Sequence, residues 1–201
     1  AGLAGSGLIR FDNQDNTSLI SVADRNALPP AIAGDIEIHT GAGNGVINGI
    51  TTNGRILIDQ ADRYIEMRDG WSNQGVVDLQ AGEWRRGGEV TPDDIGTVNG
   101  SGGRVLIQGQ LDLDQSVFDL ATINAPTVFE DESYLSNGTI QSSSGPLALI
   151  SSGQGNFHDI TFDELVVDAD VQVAGGVSLN LRGENAFSPG RVITLGGADV
   201  D

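Results

Sequence analysis

Apolar and polar residues alternate along this chain in short bursts, and one phrase recurs. Gly34-Asp-Ile-Glu-Ile38 sets a glycine ahead of two apolar positions separated by one residue. Gly54-Arg-Ile-Leu-Ile58, Gly75-Val-Val-Asp-Leu79, Gly103-Arg-Val-Leu-Ile107 and Gly145-Pro-Leu-Ala-Leu149 repeat it. Side chains alternate across a strand with period two, so each phrase predicts a short strand with one inward face. Ile36, Ile38, Ile56, Ile58, Val77 and Leu79 are expected to stack as apolar ladders, with Ile65 and Met67 in a second wall. From Phe157 to Leu181 the alternation is nearly unbroken. It predicts Ile160, Phe162, Leu165, Val167, Val171, Val173, Val177, Leu179 and Leu181 inside, and Asp159, Asp163, Asp168 and Asp170 outside.

The phrases are evenly spaced. Gly54, Gly75 and Gly96 stand 21 residues apart, as do Gly82 and Gly103, and Gly155, Gly176 and Gly197; further multiples reach Gly138 and Gly145. The Gly96 and Gly103 series are offset by 7, a third of the repeat. A coil of three short strands and three turns gives that offset, and such coils stack into a parallel β-helix. Asn-Gly pairs at Asn44, Asn48, Asn53, Asn99 and Asn137 suit left-handed corners. An antiparallel sandwich also uses Asn-Gly, at hairpin turns; a fixed coil length favours the solenoid. The expected class is all-β, a right-handed parallel β-helix (β-solenoid) of about 21-residue coils over residues 34–201. Residues 1–33 lie off the repeat, and Pro29-Pro30 ends them; they are expected to form an N-terminal cap or a docking segment.

Composition narrows the function. The chain has no cysteine, which excludes disulfides and zinc–thiolate chemistry. Its formal charge is −18, and all ten basic residues are arginine. Such a surface repels nucleic acid and anionic membranes, favours solubility and collects Ca²⁺. A lysine-free, aspartate-rich chain suits a salty exterior. No run of 18 apolar residues is present, so no membrane-spanning helix is expected. The chain begins Ala-Gly-Leu-Ala, without a charged and apolar leader; a mature secreted protein or an excised fragment is expected.

Two groups of residues are candidate sites. Residues 81–95 interrupt the pattern with Trp84-Arg85-Arg86, Gly87-Gly88 and Pro92-Asp93-Asp94, and predict a loop thrown out from a coil. With Trp71 about half a coil earlier, Trp84, Arg85 and Arg86 are the candidate contacts for a sugar or a protein partner. The bland alternative has the tryptophans cover an apolar edge and the arginines neutralise local acid. In Leu111-Asp-Leu-Asp114 strict alternation puts Asp112 and Asp114 on one outer face, and Asp119 follows; these are the candidate calcium ligands. A solvated acidic face is the alternative, as it is for Glu130-Asp-Glu132.

No catalytic constellation emerges. His39 and His158 each sit within or beside an apolar strand, and no Gly-x-Ser-x-Gly elbow, phosphate loop or His-Glu-x-x-His occurs. The expectation is therefore not an enzyme.

Asn53-Gly-Arg-Ile-Leu-Ile58, Asn73-Gln-Gly-Val-Val-Asp-Leu79 and Ser136-Asn-Gly-Thr-Ile140 resemble the repeats of bacterial surface β-helices. These are the filamentous-haemagglutinin-like adhesins and autotransporter passenger domains, in which an Asn-Gly corner precedes a short strand coil after coil. The resemblance covers about residues 34–181, and the Asn-Pro-Asn-Gly motif of the haemagglutinin secretion domain is missing. It implies an exported structural or adhesive role and carries over no catalytic residue. The expected function is an extracellular, self-associating β-solenoid subunit of a surface filament or adhesin, with head-to-tail pairing through residues 1–33 and the tail. The alternative is a carbohydrate-binding or carbohydrate-cleaving β-helix using Trp71, Trp84, Arg85 or Arg86 as a platform and Asp112 and Asp114 as metal or acid groups.

Overall fold

The computed structural model describes residues 3–13, 16–21, 31–151 and 158–197. It divides into two compact units, residues 1–105 with 123–126 and residues 106–122 with 127–201. Each is a parallel β-solenoid.

The first unit holds β1 (Leu3–Arg10), β2 (Thr17–Ser21), β3 (Ala31–His39), β4 (Asn44–Asn48), β5 (Thr51–Thr52), β6 (Arg55–Ile58), β7 (Tyr64–Arg68) and β8 (Ser72–Asn73). It continues with β9 (Val76–Leu79), β10 (Glu83–Arg86), β11 (Glu89–Val90) and β12 (Thr97–Gly100), and β13 (Arg104–Ile107) crosses the division. One wall stacks β1 on β3, then β3 on β5 and β6, then these on β8 and β9, and β9 on β12, all parallel. A second wall stacks β2, β4, β7 and β10 in the same way. Arg55 pairs with Val76 and Val76 with Thr97, each step 21 residues. The predicted ladders form: Ile38, Ile56 and Val77 are in register and buried, and Ile58 sits beside Leu79.

The second unit holds β14 (Gln110–Asp112), β15 (Val117–Asp119), β16 (Thr127–Phe129), β17 (Tyr134–Gln141), β18 (Leu147–Leu149), β19 (Asp159–Asp168), β20 (Val171–Ala174), β21 (Ser178–Arg182), β22 (Ala186–Phe187) and β23 (Ile193–Gly197). One wall runs from β14 and β15 through β17 and β19 to β21 and β22. The other runs β16, β18, β20, β23. Here the coil lengthens: Gly138 pairs with Leu165, 27 residues on.

The glycine period has a physical cause. A Cβ on Gly54 would press on the Ile36 carbonyl, on Gly75 on the Gly54 carbonyl, and on Gly96 on the Asn73 and Gly75 carbonyls, all inside 3.0 Å. The same carbonyls accept the next coil's hydrogen bonds, Gly54 O from Val76 N at 3.1 Å and Gly75 O from Thr97 N at 3.2 Å. Gly103 stacks on Gly82 in a second column. The column stops there. At Gly145 and Gly176 nothing lies within 4 Å of the place a Cβ would take, and Gly155 lies outside the described residues.

Two expectations change. The described part of residues 1–33 is no separate cap: β1 pairs with β3 from Leu3↔Ile32 to Arg10↔His39, and β2 pairs with β4, so these strands belong to the stack. Residues 22–30, with Pro29-Pro30, lie outside the described residues. In β19 the expected inward set holds, Ile160 and Phe162, then Leu165 and Val167, and the one-residue change of phase between the pairs falls where Glu164 adopts a left-handed φ of 51°. Val177 and Leu179 are only half-buried and Leu181 is exposed. β21 pairs only with β19 among the described residues, so no further described rung stacks on its side chains as β19 stacks on β17.

Candidate functional site

The Trp84–Arg86 stretch is a strand, not a loop. It forms β10, with Trp84 beside Ile65 and Arg86 beside Met67. Alternation then decides which side chains point inward. Ile20, Ile47, Met67 and Arg86 are successive rungs of one ladder. Trp84 and Arg86 are fully buried, and Trp71 is 2% exposed. This corrects the partner-contact reading for Trp71, Trp84 and Arg86, and removes the glycan platform built on them. Only Arg85 of that set faces outward.

The buried group is a compact cation–aromatic cluster. The Arg86 guanidinium carbon lies 4.7 Å from the Trp71 ring centre and 5.6 Å from that of Trp84. The two indoles meet edge to face at 5.9 Å. Trp71 Nε1 donates to the Gly87 carbonyl at 3.1 Å. Nε, Nη1 and Nη2 of Arg86 and Nε1 of Trp84 have no acceptor. Burial pulls the Arg86 guanidinium down to about 9, with Asp94 opposing, so it stays charged at neutral pH. Asp94 Oδ2 is already held at 2.9 Å by the Thr91 amide and hydroxyl, closing the short turn Pro92–Asp94.

On the outer face of the same wall the arginines stitch coils together. Glu83 receives Arg85 Nη2 at 2.6 Å and Arg104 Nη2 at 2.6 Å. Arg85 also lies 4.0 Å over the Tyr64 ring. On the other wall, Arg55 joins Glu37 and Asp78 across β3, β6 and β9, and Asn99 of β12 donates to Asp78. Sequence reasoning missed these partners, yet the repeat contained them: Glu83 and Arg104, Asp78 and Asn99, and the buried pair Thr52 and Asn73 are each 21 residues apart.

These ion pairs set an acid limit on stability. Burial acts to raise the Glu83 pKa, but hydrogen bonds from Arg104 and Arg85 outweigh it and leave the value lowered. A depressed folded-state pKa stabilises the fold fully above the unfolded value, about 4.3, and that contribution is lost as pH falls through the folded value. Thermal melts between neutral pH and about pH 3 should therefore show a steeper acid loss for wild type than for Glu83→Gln. Parallel curves would refute the assignment.

The expected calcium ligands do not converge. Leu111 and Leu113 are buried and Asp112 and Asp114 face outward, as alternation expects, but β14 ends at Asp112 and the chain turns through left-handed backbone at Asp114 and Gln115, φ 45° and 59°. Asp112 Oδ1 accepts the Asp114 amide at 3.0 Å and Asn137 Nδ2 at 3.2 Å. Asp119 accepts the Ala121 amide through Oδ1 and Gln141 Nε2 through Oδ2. Among the described residues no three acidic or histidine side chains group as a metal site. Elsewhere, His39 meets Glu37 at 2.8 Å and His158 meets Asp131 at 2.8 Å.

Compared with known proteins, the chain matches no family model, no curated protein and no solved structure.

Proposed function

We propose that the chain is an extracellular structural protein, a self-associating β-solenoid subunit of a surface filament or adhesin, without catalytic activity. The observation that carries this reading is the placement of exposed apolar side chains. Among the described residues eight large hydrophobics are exposed, and six of them lie in or beside strands that end a wall. Leu8 is on β1, Leu19 on β2, Leu181 on β21, and Val192, Ile193 and Leu195 are at β23. Among the described residues β2 pairs only with β4, and β23 only with β20. Each therefore offers an open row of backbone donors and acceptors, which templates pairing with another chain. A head-to-tail contact of β23 on β2 of a second copy continues the parallel stacking and covers the exposed apolar side chains at both ends. Such a contact between identical subunits propagates into a filament unless rotation closes it. The lysine-free acidic composition and the adhesin-like repeats support an exterior location.

Negative-stain microscopy and sedimentation of the purified chain test this. Wild type should form rods that lengthen with protein concentration and with ionic strength, since screening relieves repulsion between acidic subunits. Leu19→Asp with Leu195→Asp should remain monomeric with unchanged β-type circular dichroism. These side chains are 62% and 73% exposed, so the fold does not depend on them. A wild type that stays monomeric at millimolar concentration and high salt would overturn the proposal.

A further inference from the structure

We propose that the Arg86 rung is a binding site for a small monovalent anion, of which chloride is the type. Four buried N–H-bearing nitrogens, Nε, Nη1 and Nη2 of Arg86 and Nε1 of Trp84, lack any acceptor. Buried donors left unpaired are rare because each costs a hydrogen bond already made to water. A buried charge without a counter-charge is costlier still. From Arg86 the ladder runs to Met67 and then Ile47, so these rungs supply no carboxylate. Asp94 attracts the cation without hydrogen-bonding to it and spends Oδ2 on Thr91.

The geometry selects the ligand class. The two indoles lie against the guanidinium at 4.7 and 5.6 Å, so further cations or aromatic groups gain nothing there. What is unmet is acceptance in hydrogen bonds plus one negative charge. Full burial limits the ligand to an ion that sheds its water and fits among side chains. A halide meets all three requirements. Water accepts and fits but brings no charge, and sulfate or phosphate carries too much bulk and charge.

Two measurements on the full chain decide it. In the first, sodium gluconate is exchanged for sodium chloride or bromide at constant ionic strength while unfolding is followed. Wild type should gain about 3 °C or more, because the ligand binds the folded state alone. Arg86→Met should gain nothing, and an equal response in both proteins overturns the site. The second needs no variant. Wild-type crystals grown in bromide should show an anomalous peak within hydrogen-bond reach of the Arg86 guanidinium; a water or no peak there overturns the proposal.

Discussion

Gly75→Ala is expected to lower the melting temperature by roughly 6–12 °C, corresponding to about 3 kcal/mol or more. The reason is not backbone freedom, since Gly75 has no left-handed φ. It is space. The new Cβ would stand well inside 3.0 Å of the Gly54 carbonyl oxygen and of the Asn53 backbone. Neither is the movable tip of a side chain. That carbonyl also accepts from Val76 N at 3.1 Å, so moving it away breaks the ladder that joins β6 to β9. One methyl group therefore pries two coils apart.

Gly175→Ala is the matched control, because nothing lies within 4 Å of its Cβ and it needs no unusual backbone. It should melt within about 1 °C of wild type, or slightly above, as the unfolded chain loses freedom. Melting of both variants by circular dichroism settles the matter. Should Gly75→Ala melt alongside Gly175→Ala, the glycine column is not what holds coil to coil.

The column is also where the sequence was most legible. The period of 21 was read from glycines and from the strands beside them, and in the first unit it marks both a close approach and the pairing of β6, β9 and β12. The cause assigned to the Asn-Gly pairs was less sound. Only Gly49 and Asn137 among them take left-handed backbone. Gly45 is small because the Phe11 ring occupies the place of its Cβ, and Gly100 because the Asn124 carbonyl does. A short list of residue types thus served two physical needs that look alike in sequence. In the second unit coils lengthen, and left-handed residues such as Asn137 and Glu164 reset the phase, so counting at a fixed step loses the register.

The candidate site failed for a different reason. Trp84-Arg85-Arg86 reads as polar and loop-like because two arginines in a row outweigh one tryptophan in any average of polarity. Strand alternation was the signal that contradicted this. If Trp84 points inward on a strand, Arg86 does too, and only Arg85 reaches solvent. A charged residue ordinarily lies outside, and the burial of Arg86 between two indoles follows only from the register that sets it beside Met67.

That difference between neighbours supplies the second large effect. Trp84→Ala is expected to cost about 3–5 kcal/mol, the range for a fully buried large aromatic replaced by alanine. The loss has two parts. Trp84 has no exposed surface, so its removal leaves a cavity beside Trp71 at the edge-to-face contact. It also strips one aromatic face from the Arg86 cation, which is buried and without hydrogen bonds. Arg85→Ala should cost no more than about 1 kcal/mol, because its contacts with Glu83 and Tyr64 lie on the partly hydrated outer face. Chemical denaturation of both variants gives the comparison directly. If Trp84→Ala keeps wild-type stability, the side chain is not in the core and a role in partner contact returns. If the two losses separate as expected, Trp84 and Arg86 belong to the architecture of the coil, and any macromolecular partner must be sought on Arg85's face or at the open strand edges.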